Sequence, residues 1–220
     1  MPATTARFAN LGRVFKGGES DLLNQVACLC VLYEDLRVEL NGLKTGQERL
    51  GDLDTLGWQY RFFYFLRRSL VTLSEFRGAL TRIGMSPEFK DAKHALSPRH
   101  RKHIADADRF FQDHADLLKD LRNDLGGHLK HDAVKFAAGH LDNVVGKALW
   151  NNSPEGEVLA LELHFATDVV CQALCSKFVE GDDPTTELHR ITEIVFAGFL
   201  HVQAAMYSIG RAFLWDEFGK

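Results

Sequence analysis

An arginine, an asparagine and a histidine fall within seven residues in RNDLGGH, 122–128. Arginine keeps its charge and can hold a phosphate with two parallel hydrogen bonds. Asparagine adds a donor and an acceptor. A neutral histidine can take a proton. Together these groups suit cleavage of RNA through its own 2′-hydroxyl. The histidine would act as general base or acid, and the arginine would stabilise the pentavalent phosphate without a metal.

Such chemistry needs Arg122 and His128 on one side of the chain. In one unbroken helix, six steps of about 100° leave them roughly 120° apart around the axis. Gly126-Gly127 removes that limit, because a glycine readily ends a helix in the left-handed conformation. Arg122 then lies in the last turn of one helix and His128 in the first turn of the next. The positive end of that second helix disfavours imidazolium and keeps His128 able to accept a proton.

The elements around this junction read as helices. Ser20 is placed to cap a helix over 21–41, with Leu22, Val26, Leu29, Tyr33, Leu36 and Leu40 at helical spacing. A long helix over 55–83 carries the stripe Phe63, Leu66, Leu70, Leu73, Leu80 and Ile83. Trp58, Phe62 and Phe65 form its second face. A short helical piece is expected over 88–95. Ser97-Pro98 then opens a helix to 124, with Ile104, Ala107, Phe111, His114, Leu118, Leu121 and Leu125 spaced alternately three and four.

Beyond the glycines, a helix over 129–145 is expected on Val134, Ala137, Ala138, Leu141 and Val145. A turn cluster and alternation over 158–163 predict a small β-hairpin near 148–163. Helices over 165–180 and 185–217 complete the chain. The fold class is therefore all-α: a helical bundle of five to six long helices with that one hairpin. It is read as a single domain over 1–220, with 1–19 as an N-terminal arm.

The Arg-Asn pair, the short spacer and the His between two bundle helices resemble the signature of the HEPN domains (higher eukaryotes and prokaryotes nucleotide-binding). That motif is Arg, usually followed by a polar residue, then His after four to six intervening positions; RNDLGGH has five. The resemblance implies a helical bundle, often dimeric, and in active members metal-independent endoribonuclease action. Many members belong to toxin–antitoxin or phage-defence systems. Carried over by position, Arg122 and His128 would be catalytic and Asn123 supporting. The implied partners are RNA, a second copy of the chain, and an antitoxin or regulatory protein; no cofactor is implied. Many members also supply an acidic or polar residue from an earlier helix, for which Glu34 and Asp35 are candidates. The alternative is a non-catalytic HEPN-like helical module that binds a protein or nucleotide.

A second Arg–His pair of allowed spacing, Arg109 and His114, is set aside. It falls inside an expected continuous helix and has Phe after the arginine. The basic run RHRKH, 99–103, sits near a helix start, where cations are disfavoured by a few tenths of a kcal/mol. A local rule broken without evident gain points to function, so Arg99, Arg101 and Lys102 are candidate RNA contacts. His100 and His103, like His128 and His131, have the i, i+3 spacing of metal-binding histidines. No E-x-x-H of the di-iron bundles accompanies them, and no metal site is assigned. His114 and His201 lie on apolar stripes and read as hydrogen-bonded core histidines.

Net charge is −4, which argues against a protein that lives on nonspecific nucleic-acid binding and leaves room for local contact only. The N-terminal segment MPATTARFANLGRVF lacks a signal peptide's apolar centre. Cys28, Cys30, Cys171 and Cys175 match no common zinc spacing and read as reduced, buried, small apolar side chains of a cytoplasmic protein. The uncharged stretch 194–210 contains His201, Gln203 and Ser208, and reads as a buried core helix with no membrane contact.

Overall fold

Three serines set three helix starts. The Ser20 hydroxyl accepts the Leu23 N–H at 3.3 Å, that of Ser86 accepts the Phe89 N–H at 3.3 Å, and that of Ser97 accepts the His100 N–H at 3.5 Å. In the second and third, proline takes the first helical turn, where its missing N–H leaves no bond unmade. The structure, a computed structural model, describes residues 20–45, 54–125, 131–139, 141, 148–152, 158–163, 169–170, 172–173 and 184–214.

The helices are α1 (Asp21–Thr45), α2 (Asp54–Met85), α3 (Pro87–Ala95), α4 (Pro98–Asp113), α5 (Ala115–Leu125), α6 (His131–Ala138) and α7 (Pro184–Phe213). Strands β1 (Ala148–Asn152) and β2 (Val158–Leu163) pair antiparallel, Ala148 opposite Leu163 and Trp150 opposite Leu161, with a register shift between Asn151 and Asn152. The expected hairpin is thus present, and the other described elements are helices. None of the described helices is long and apolar enough to cross a membrane.

The chain forms two compact units. The first comprises 1–36, 72–115 and 197–220. Its core takes Val26 and Leu29 from α1, Phe76 and Ile83 from α2, Ile104 and Phe111 from α4, and Val202 and Ile209 from α7. Phe76 stacks on Phe111 at 6.0 Å, and Phe89 on Phe213 at 5.8 Å. Gly198 lets α7 pass close to α4: a β-carbon there would lie 3.0 Å from the Phe110 ring and 3.1 Å from Leu73.

The second unit comprises 37–71 and 116–196. Leu40, Leu43, Leu66, Leu70, Leu118, Leu121, Ala137, Ile191 and Val195 are buried in it. Gly42 admits the Phe65 ring, whose atoms would stand 2.5–2.6 Å from a β-carbon at that position. Two carboxylates are also buried here, Glu39 and Glu187, each beside an arginine: Arg68 at 3.6 Å and Arg190 at 3.5 Å.

Three expectations are corrected. The helix over 98–124 is two helices, interrupted at His114, whose backbone (φ −111°, ψ 14°) leaves the helical range. The His114 Nδ1 lies 2.9 Å from the Phe110 carbonyl oxygen, so the ring takes up a backbone acceptor at the break. Phe111 and Leu118, seven residues apart, are both buried, one in each unit, so the sequence spacing does not disclose the break. Within α6 only Ala137 of the expected stripe is buried; Val134 and Ala138 are exposed, and the helix stops at Ala138. Cys28 is exposed and Cys30 half-buried, both free thiols, because Leu29 and Val26 take the inward face of α1. Cys171 and Cys175 lie outside the described residues.

Candidate functional site

Helix α5 has eleven residues and two clear faces. Leu118 and Leu121 point inward three residues apart, while Lys119, Asp120, Arg122 and Asn123 are exposed. One step of about 100° beyond buried Leu121 brings Arg122 out to solvent. Asp116 in the first turn and Arg122 in the last both suit the helix dipole. The described part of α5 ends at Leu125, and Gly126-Gly127, where the sequence predicts the helix to end, lie outside the described residues. Among the described residues, no hydrogen bond or ion pair engages Arg122 or Asn123. His128 lies outside the described residues, so the histidine half of the motif has no stated position.

The described part of α6 begins with His131, which is almost fully exposed and faces Asp132 at 3.7 Å. Glu34 and Asp35 are exposed on the part of α1 that belongs to the first unit, whereas Arg122 belongs to the second. Glu39 is the carboxylate that sequence reasoning overlooked. It belongs to the unit that holds Arg122 and is buried beside Arg68. Its signal was available, since Glu39 sits three residues after Leu36 and four before Leu43 on the apolar stripe of α1.

The basic run at 99–103 has internal work to do. Arg101 Nη1 donates to the carbonyls of His94 and Leu96, both at 2.9 Å, and so closes the C-terminal end of α3. Lys102 Nζ pairs with Asp106 at 2.8 Å, one turn on, and holds that carboxyl below its usual range. Arg99 is exposed. The gain that offsets cations near a helix start is therefore partly structural: Arg101 joins α4 to α3.

His100 and His103 share one hydrogen-bonding neighbour, Ser208. Their Nδ1 atoms lie 3.2 and 3.1 Å from the Ser208 hydroxyl oxygen, which itself donates to the Ala204 carbonyl at 3.0 Å. Ser208 thus joins both imidazoles and the Ala204 carbonyl in one hydrogen-bonded cluster, in which donor and acceptor roles follow the tautomer of each ring. Desolvation first, then the charges of His103, Arg211 and Arg99, hold His100 below the ordinary imidazole value. No group of three or more His, Cys, Asp or Glu among the described residues could hold a metal ion.

His114 and His201 both pack on Phe110, with ring centroids at 4.5 and 5.2 Å. His114 also bonds the Phe110 carbonyl, so the Arg109–His114 pair, although it straddles a helix break, commits its histidine to the backbone. When compared with protein-family models, curated proteins and solved structures, the chain matches none of them.

Proposed function

We propose that the α5–α6 junction is the site of a metal-independent endoribonuclease of HEPN type. The observation that carries this reading is the exposure of Arg122 and Asn123 at the end of the described part of α5, next to the glycine pair in sequence. A cation held by a rigid helix, with no internal partner among the described residues, is suited to a phosphodiester. Neutral His128 takes the proton of a ribose 2′-hydroxyl. The 2′-oxygen attacks the adjacent phosphorus, and the bond to the 5′-oxygen breaks. Arg122 and Asn123 donate to the phosphoryl oxygens as their charge grows. The leaving 5′-oxygen takes a proton from solvent. The products are a 2′,3′-cyclic phosphate and a 5′-hydroxyl. In this reading two copies of the chain bring two junctions to one RNA strand, and a toxin or phage-defence effector of this kind is held in check by a small regulatory protein.

The test uses purified protein and labelled RNA with and without EDTA. Cleavage persists in EDTA, spares a substrate with 2′-deoxyribose at the scissile position, and disappears in R122A and in H128A. If neither single variant changes a robust cleavage, the site is wrong. If the wild-type protein cuts none of a varied set of RNAs and is not toxic on expression, the second reading takes over: a non-catalytic helical module. One observation favours that second reading. Cys28 and Val31 are exposed on the first-unit part of α1, three residues apart and so on one helix face, as part of a partner-binding stripe would be.

A further inference from the structure

The first unit contains a cleft that the ribonuclease reading does not use. It has a volume of about 280 Å³ and lies among the end of α2, helix α3 and helix α4. Its apolar lining is Leu80, Phe89 and Ile104. Its polar lining is Lys90, Lys93, His94, Arg101 and Asp108, three permanent cations against one carboxylate. Lys90, Lys93 and His94 come from one face of α3, at i, i+3 and i+4. We propose that this cleft binds a small amphiphilic anion, an aromatic or compact aliphatic body bearing a phosphate, sulfonate or carboxylate group.

Three observations support the assignment. Arg101 is preorganised. Both N–H groups of its Nη1 go to the carbonyls of His94 and Leu96, which fixes the guanidinium without cancelling its charge. Three N–H donors remain, on Nε and Nη2, in the fork geometry that suits an oxyanion. Next, Lys93 is only loosely matched. Its Nζ stands 3.8 Å from Asp108, the far edge of an ion pair, and that carboxyl is raised above its usual range by burial in spite of the lysine. An incoming anion gains a cation whose present partner is poorly solvated. Finally, Gly84 lines the cleft, and a β-carbon there would meet nothing within 4 Å. A glycine in α2 thus leaves room at the cleft wall for a larger side chain to be introduced.

The lining also says what is excluded. A cation would face Lys90, Lys93 and Arg101, with Asp108 alone in its favour. A purely inorganic anion would fill little of the space and would leave the methylene stems of Lys90, Lys93 and Arg101 uncovered above the buried floor of Leu80, Phe89 and Ile104. At about 280 Å³ the space sits just below the usual range for drug-sized ligands, so the body is one or two rings or a short chain.

The probes are 1-naphthyl phosphate, 1-naphthoate, inorganic phosphate and 1-naphthylmethylamine, each titrated into the full chain by calorimetry. At least one naphthyl anion saturates a single site per chain, and comparing the two separates a phosphate head from a carboxylate head. Inorganic phosphate and the amine bind at least about tenfold more weakly, since each lacks one half of the recognition. Replacing both lysines (K90Q with K93Q) loosens the bound naphthyl anion by about tenfold or more. D108N tightens it by about threefold to tenfold, because the competing carboxylate is gone. G84L fills the space and abolishes binding. The proposal is overturned if neither naphthyl anion binds saturably, if the amine binds as well as the anions, or if the double lysine variant binds like wild type. Should G84L fail to fold, the two lysine substitutions, both on side chains at least partly exposed, still decide the matter.

Discussion

Removing the Ser208 hydroxyl is the sharpest test of the packing between α4 and α7. Ser208 is fully buried, and its oxygen serves two imidazoles at once, at 3.2 and 3.1 Å. A net intramolecular hydrogen bond contributes about 0.5–1.5 kcal/mol, so two bonds suggest about 1–3 kcal/mol. His100 and His103 are only partly buried, and water can reclaim some of what they lose. The lost bond to the Ala204 carbonyl matters less, because helix backbone already supplies that oxygen with a donor. S208A is therefore expected to lose about 1–2 kcal/mol at neutral pH. For a chain of this length that corresponds to a fall in melting temperature of about 2–8 °C. Urea unfolding followed by circular dichroism reads the difference. A double-mutant cycle with H103A isolates the cause: the histidine substitution should be milder in the S208A background than in wild type. Unchanged stability in S208A, or strictly additive effects in the cycle, would refute the shared-hydroxyl arrangement.

His100 is held below its ordinary value, so as pH falls through about 6.5 the unfolded chain takes up its proton first. Stability above that range is unaffected by this group, declines as pH drops toward the folded value, and declines less steeply in H100N; equal slopes would remove His100 as the cause. R101M frees the His94 and Leu96 carbonyls and should destabilise the chain by about 1–2 kcal/mol, measured by the same urea titration. G42A forces the Phe65 ring to move from a contact of 2.5 Å and should lower stability by about 1–3 kcal/mol, with a neutral result showing that the ring swings out freely. Cys28 is exposed, whereas burial and the Glu34 charge raise the Cys30 thiol, so peptide mapping should find Cys28 alkylated well before Cys30.

Helix starts were legible where a side chain carries the information locally. Ser20 and Ser97, read as caps, each accept an N–H three residues on, and Ser86, not read as one, does the same ahead of its own proline. The long stripes of α1 and α2 were legible for the same reason that they bury: Val26, Leu29, Leu36 and Leu40 recur every three to seven residues, and all four are inside. What the sequence could not disclose is how a polar side chain is spent. Arg101 and Lys102 look alike in RHRKH, yet one closes the end of α3 and the other pairs along its own helix. That difference depends on where α3 lies, which no local pattern in α4 encodes.

The same distinction separates the two candidate sites. Arg122 could be found from the chain alone, because a glycine pair, a polar neighbour and a histidine stand next to it in sequence. The cleft could not, because its lining comes from three helices, with Leu80, Lys93 and Asp108 far apart along the chain. Only the i, i+3, i+4 row of Lys90, Lys93 and His94 was visible in advance, and such a row is ordinarily a solvated face. What turns that row into a candidate binding wall is the buried floor that α2 and α4 lay beside it, together with an arginine whose position two backbone carbonyls already fix. An ion-binding wall of this kind loses little further freedom when a ligand arrives, and preorganisation of that sort decides affinity more than the area it covers.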